Sequence, residues 1–259
     1  MQIIRLKDTD STNRYLLDEA VRFKDEDVTI AVAEYQTAGR GAGTNKWESE
    51  AGKNLLFSIL IHPLDVPIRE QYILSMTEAL ALRKAIAEVI NTSDGVGERV
   101  KEETADALTI KWPNDIYWND SKMSGTIIDL NILGGKMQDF VIGTGINVNQ
   151  ERFLSDAPNP VSIRQITGIE TSVDRLLDCV MRAFAEYMDI LRAPGGRENI
   201  IAEYHQHLYR RSGVHKFADA DGTFSAELIE VRPNGVMTLR RTDGTVSSYE
   251  FKEVRFIIE

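Results

Sequence analysis

Hydrophobic and polar positions change rhythm several times along the chain, and each rhythm predicts an element. Thr29 to Tyr35 has strand character, Gln36 to Lys53 is polar and glycine-rich, and Asn54 to His62 is a nearly continuous apolar run. This pattern reads as a strand, a long loop and a buried strand. From Ile68 to Ile90 the apolar residues Ile73, Leu74, Met76, Leu80, Ile86 and Val89 recur at three- and four-residue steps among alanines. The spacing predicts a long helix packed on one side and ended by Asn91, Ser93 and Gly95. Ser93 to Asp106 is charged and poor in apolar groups, and reads as a surface loop.

Leu108 to Trp112 predicts a short strand stopped by Pro113-Asn114-Asp115, and Ile116 to Trp118 a second that turns at Asn119-Asp120-Ser121. Gly125 to Ile132 and Phe140 to Val148, joined by a turn at Gly134-Gly135, extend this into a set of antiparallel strands. Two more helices are expected at Val173 to Leu191 and Glu198 to Arg211, parted by Pro194-Gly195-Gly196. Beyond Gly213, the pairs Asp221-Gly222, Asn234-Gly235 and Asp243-Gly244 punctuate short alternating runs, the mark of tight turns between small strands. The fold class expected is α+β, with a mixed, mostly antiparallel sheet packed with helices over residues 1–211 and a small C-terminal β-barrel or sandwich over 212–259.

Composition narrows the class. The 259 residues are 42% hydrophobic and 27% charged, enough to bury a sizeable core. With 40 acidic against 30 basic side chains the formal charge is -10, which repels a nucleic-acid backbone. The single cysteine, Cys179, has no internal disulfide partner and is expected to be a buried, inert thiol. No run reaches the roughly 18 apolar residues of a membrane span. The charged start, Met1 to Asp8, is unlike a signal peptide, so a cytoplasmic protein is expected.

Gly39-Arg40-Gly41-Ala42-Gly43-Thr44-Asn45-Lys46-Trp47 is the most unusual segment. Alternating glycines allow close backbone approach, so their N–H groups can surround an anion or flat polar ligand, and Arg40 adds a fixed charge. A plain surface loop is the competing reading. Neither a Walker-type loop nor a dinucleotide fingerprint is present. Asp10-Ser11-Thr12-Asn13 precedes Tyr15 to Val21 and would cap a helix, although hydroxyls at such an end also suit a polar ligand. Lys111, between apolar Ile110 and Trp112, is costly to bury without a partner, and a phosphate would be one. Lys122 lies one hairpin away, near enough for both lysines to face one anion, although plain solvation is the competing reading for a lysine in a turn. Gly143-Thr144-Gly145-Ile146-Asn147 sets glycines into a strand, where they often mark close approach. His205 and His207 fall on different helix faces and make no metal pair.

Taken in order, four segments resemble the biotin protein ligases: Asp10-Ser11-Thr12-Asn13; Gln36-Thr37-Ala38-Gly39-Arg40-Gly41 with Trp47; Lys111-Trp112-Pro113-Asn114-Asp115 with Lys122 and Gly125; and Gly143 to Asn147. The resemblance implies a class II synthetase-like catalytic domain with an SH3-like appendage. It implies activation of biotin by ATP as biotinyl-5′-AMP, then transfer to a lysine of the biotin carboxyl carrier protein of acetyl-CoA carboxylase or a related carboxylase. Ser11, Thr12, Asn13, Gln36, Gly39, Arg40, Gly41, Lys122 and Gly125 would hold biotin; Lys111, Asn114, Asp115, Asn147 and Trp47 would hold the nucleotide. Lys111, Lys122 and Arg40 would be catalytic, and Asn114 and Asp115 would help hold the triphosphate and its Mg²⁺, with Asp115 the metal residue.

The family's loop commonly reads Gly-Arg-Gly-Arg-x-Gly-Arg, whereas here Ala42, Thr44 and Asn45 follow with only Lys46 nearby. Ser11 also lies too close to Met1 for a preceding winged helix-turn-helix, so no sequence-specific DNA partner is expected, and no membrane partner; the chain is expected as a monomer or homodimer. Alternatives are a lipoate or octanoate ligase or transferase of the same fold, or a non-catalytic biotin-binding module.

Overall fold

The computed structural model describes residues 2–62, 66–133, 136–155 and 159–258. Its larger sheet is built from β1 (Gln2–Thr9), β2 (Val28–Gln36), β3 (Leu55–Ile61), β4 (Leu108–Lys111), β5 (Asp115–Trp118), β6 (Ser121–Leu133) and β7 (Lys136–Ile146). The order is β1-β2-β3-β7-β6-β5-β4. β1 runs parallel to β2, and the other neighbours are antiparallel. The turn expected at Gly134-Gly135 lies outside the described residues.

The helices are α1 (Thr12–Asp18), α2 (Tyr72–Thr92), α3 (Glu98–Ala107), α4 (Ile163–Thr167), α5 (Val173–Arg192) and α6 (Gly196–Gln206). α1 and the 3₁₀ turn Ala20–Phe23 make the crossover that lets β1 and β2 run parallel. They cover one face of the sheet, where Leu16, Ala20 and Phe23 pack against Ala31, Leu60 and Val141. α2, α5 and α6 cover the other face and carry the main core. β3 is therefore buried on both sides, which is what its unbroken apolar run requires.

Three expectations need correction. α2 is not packed on one side: every residue from Ile73 to Leu82 is buried, because its alanines let neighbours close in all round. Ser93 to Asp106 is not a loop throughout, since α3 begins at Glu98. Its inward stripe is only Val100, Thr104 and Ala107, at helical spacing, while Arg99–Glu103 and Lys101–Glu98 pair along the exposed surface. The apolar content is too thin to show as a period. The last long helix stops at Gln206 rather than Arg211, after which the backbone N–H of Ile110 bonds to the carbonyl of His207 and ties the chain to β4.

The C-terminal sheet comprises β8 (His215–Asp219), β9 (Gly222–Val231), β10 (Met237–Arg241), β11 (Val246–Tyr249) and β12 (Arg255–Phe256), ordered β11-β10-β9-β8-β12 and antiparallel throughout. The three expected Asx-Gly pairs all lie at its hairpin turns, with Gly235 at φ 86° and Gly244 at φ 89°, where a side chain would be strained. This sheet docks on the larger one. Trp112 Nε1 donates to the Gly235 carbonyl at 3.0 Å, Arg210 donates to the Ile257 carbonyl at 2.8 Å, and Phe256 packs, tilted, between the rings of Tyr209 and Phe217.

Candidate functional site

Side chains alternate across a sheet, and on the α1 face three adjacent positions carry none. Gly125 pairs with Gly145, and Gly143 sits opposite Ser58. Together they form a bare floor. The Trp47 indole lies on it: a Cβ at Gly145 would come within 2.4 Å of the ring, and one at Gly125 within 2.9 Å. At Gly143 a Cβ would come within 1.8 Å of the Asn13 amide. The close approach that strand glycines announce is thus made, in this structure, by two of the chain's own side chains.

Around this floor runs a chain of polar groups. Gln36 Oε1 accepts from the Thr12 backbone N–H at 2.8 Å and from its hydroxyl at 3.1 Å. Ser58 bonds Thr12 at 2.6 Å and also Asn13. Asn13 donates to Asp129 at 2.9 Å, and Asp129 pairs with Arg40 at 2.6 Å. Ser11 stands at the N-cap position of α1 but its side chain makes no capping bond, which leaves the hydroxyl available. Ser11, Thr12, Asn13, Gln36, Arg40, Trp47 and Gly125 all line a cavity of only about 20 Å³. That is room for about one water molecule, because the indole fills the rest.

A second cavity of about 1100 Å³ opens alongside. Arg40, Trp47, Gly125 and Ile127 line both. The larger one also exposes Gly41, Lys111, Asn114, Asp115 and Lys122, and its far wall is the C-terminal segment with Asn234, Phe251, Lys252 and Arg255. Lys122 stands at the junction, its ammonium 3.0 Å from where a Gly125 Cβ would be, 2.7 Å from Asp115, and 6.0 Å from the Trp47 ring centroid. Lys111 sits over the rings of Tyr117 and Phe256 at 4.9 and 5.2 Å. Burial holds its ammonium below the usual lysine range; Asp115 opposes that effect, and Lys122 and Arg210 add to it. An anion here would relieve the repulsion.

The turn that carries these groups is pinned from behind. Tyr204 donates to the Pro113 carbonyl at 2.8 Å and Tyr72 donates to the same oxygen, while Asn114 donates to Ser75 of α2 at 3.0 Å. Asp115 is the carboxylate between the two lysines, and among the described residues no three His, Cys, Asp or Glu converge as a metal cluster. A divalent cation fits only as a companion of phosphate groups that supply its other oxygen ligands, the usual arrangement for Mg²⁺.

Two expected residues do not reach either cavity. Asn147 is buried and donates to the Val161 carbonyl at 3.3 Å, holding the segment that follows, and Gly39 supports Trp47 by accepting its backbone N–H. Asp129, Ser58 and Glu78 were missed. Ser58 and Glu78 do leave a trace, Ser58 as the one polar residue in the apolar run of β3 and Glu78 as the one charged residue between Gln71 and Leu82. Glu78 lies beneath the floor on the opposite face, accepts from Thr144 at 2.6 Å and Thr126 at 3.3 Å, and burial raises its carboxyl to about 8. Lys252, Arg255 and Phe256 left none, since they come from a distant sheet.

The sequence pattern of the biotin/lipoate A/B protein ligase family matches residues 6–147. Among curated relatives, the bifunctional ligase/repressor BirA of Escherichia coli is 32% identical over 187 residues, 72% of this chain and 53% of its own length. The biotin–[acetyl-CoA-carboxylase] ligase of Paracoccus denitrificans is 29% identical over 189 residues, 69% of this chain and 70% of its own. The chain therefore spans only about half of the first of these relatives. A solved biotin protein ligase from Aquifex aeolicus, in complex with biotin and ATP, superposes with a TM-score of 0.72 at 22% identity, covering 99% of both chains, which establishes a shared fold. Among the described residues no helix is long and apolar enough to cross a membrane.

Proposed function

The chain belongs to the biotin/lipoate A/B protein ligase family, and on that premise we propose that it is an ATP-dependent ligase that activates biotin and transfers it to a lysine of a biotin carboxyl carrier protein. In this reading residues 1–211 bind and activate, and 212–259 form an SH3-like closure over the nucleotide. The observation that carries it is the junction of the two cavities at Gly125, Arg40 and Trp47, with Lys122 beside it. A small carboxylic acid in the inner cavity would present its carboxylate there to a nucleotide in the outer one.

The chemistry needs no protein nucleophile. A biotin carboxylate oxygen attacks the α-phosphorus of ATP, the bond to the bridging oxygen breaks, and pyrophosphate leaves. Lys122 and Lys111 oppose the negative charge that gathers at phosphorus, and act from fixed positions in a partly buried site. Mg²⁺, entering with the triphosphate and held through Asp115, would neutralise phosphate charge. The amine of the carrier lysine then attacks the carbonyl carbon of the mixed anhydride, AMP leaves, and the nitrogen loses a proton. Trp47 and the glycine loop, once the indole has left the floor and closed again over the bound acid, would keep water from the anhydride.

The polar rim of the inner cavity favours biotin over lipoate or octanoate. Ser11, Thr12 and Gln36 offer donors and acceptors to a cyclic urea, and an alkyl chain would leave the buried Ser11 hydroxyl, which makes no capping bond, without a partner. The test is mass analysis of carrier domains after incubation with ATP, Mg²⁺ and each acid in turn. Addition of one biotin is expected. Modification by lipoate or octanoate alone supports the second reading, and pyrophosphate-free binding of biotin supports a non-catalytic module.

A further inference from the structure

The glycine loop supplies little charge to the outer cavity. Arg40 is committed to Asp129 at 2.6 Å, and Lys46 pairs in a backbone bridge with Arg40 on the exposed side of the loop. Yet the cavity walls carry six cationic side chains against three carboxylates, in a protein of formal charge -10. Two of the six, Lys252 and Arg255, arrive from the C-terminal sheet.

Lys252 is the more unusual of the two. Its ammonium reaches across to the loop and occupies the space where a side chain at residue 43 would stand: a Cβ on Gly43 would be 2.7 Å from Nζ. Its backbone is held at φ 76°, a region that a lysine enters at a cost and that recurs at ligand-binding sites. Among the described residues no carboxylate pairs with it, and its ammonium lies 5.8 Å from the centroid of the Phe251 ring. An exposed cation that no carboxylate among the described residues neutralises, set in the wall of the outer cavity and against the glycine loop, suits an anion in that cavity.

We propose that Lys252 binds the outer phosphates of the nucleoside triphosphate, clamping them between the C-terminal sheet and the loop at Gly43. The assignment to the outer phosphates follows from position. Lys122 stands at the inner junction, where the α-phosphate would meet the carboxylate, whereas Lys252 lies on the exposed rim. The C-terminal sheet is then a working wall of the nucleotide site, and it provides charge that the loop lacks. The inference rests on the ligase reading above.

Lys252→Gly is the informative deletion, since glycine accepts φ 76° without strain and the fold should be unharmed. Steady-state adenylation should show a rise of about ten- to a hundredfold in KM for ATP, the loss expected for one charge-assisted contact. Pyrophosphate should weaken similarly in the reverse exchange reaction. Inhibition by AMP, which lacks the outer phosphates, and KM for biotin should stay at wild-type values. Lys252→Arg should restore most of the ATP affinity. If wild type is active but Lys252→Gly leaves KM for ATP unchanged, or weakens AMP as much as ATP, the proposal is overturned. If wild-type protein forms no biotinyl-AMP at all, it is the ligase reading that fails.

Discussion

Glu78 offers a quantitative test of the floor's support. Its carboxyl is 1% exposed, under the glycine floor, with hydroxyls of Thr126 and Thr144 as partners and no cation. Burial raises it from 4.5 to about 8. An unfolded chain releases this proton above 4.5, whereas the folded chain keeps it until about 8, so between those values the unfolded state binds fewer protons. Stability from this group is full below 4.5 and is lost as pH rises towards 8. At about 1.4 kcal/mol for each tenfold change in proton affinity, the loss reaches about 3 kcal/mol at pH 7 and about 5 kcal/mol above pH 8. Glu78→Gln keeps the shape and one acceptor and cannot ionise. Urea unfolding of both proteins from pH 5 to pH 8.5, at constant m, should show near-equal stability at pH 5 and a variant more stable by several kcal/mol at pH 8. A stability difference that does not change across that range would refute the reasoning, because it would mean that the group is not held neutral by its burial.

Lys122→Ala and Lys111→Met should each lower the rate of adenylate formation by about a hundred- to a thousandfold, the loss of one fixed charge at a developing oxyanion, while the melting temperature changes little; near-normal rates would remove the residue from the chemistry. Gly145→Ala puts a methyl group on the floor, in space that biotin would take once the Trp47 ring, 2.4 Å away in this structure, has moved, and should raise KM for biotin at least tenfold, measured by steady-state adenylation. Since the inner cavity holds only about 20 Å³, Trp47 must move for biotin to enter. The Arg40–Asp129 pair that latches the loop is 49% and 30% exposed and so opens at little cost. Biotin should therefore change Trp47 fluorescence, read in a protein whose other two tryptophans are replaced by phenylalanine, and biotin with ATP should slow tryptic cleavage after Arg40 and Lys46. Unchanged emission and cleavage would leave the loop without a lid role.

Much of this protein is written locally. The turns at Asn234-Gly235 and Asp243-Gly244 need positive φ and carry glycine where it is needed, and β3 is a solid apolar run because it is covered on both faces. The four polar and glycine-rich segments are legible for the same reason: each concentrates unusual residue types within a few positions. Where the information is spread thin, the sequence is silent. α3 has too few apolar residues to show a period, and its stripe matters only once α2 lies beside it.

What tertiary structure decides is which distant residues share a face. Gly125, Gly143 and Gly145 become one floor only through the β3-β7-β6 register, and Ser58 meets Thr12 because α1 crosses that side. Phe256 reaches Lys111, and Lys252 reaches Gly43, across more than a hundred residues of sequence. Periodicity reports the side of an element that is buried, but not the partner that buries it. That choice is made by the packing of whole elements against one another, and in this protein it is the packing of the C-terminal sheet that sets the outer wall of the site.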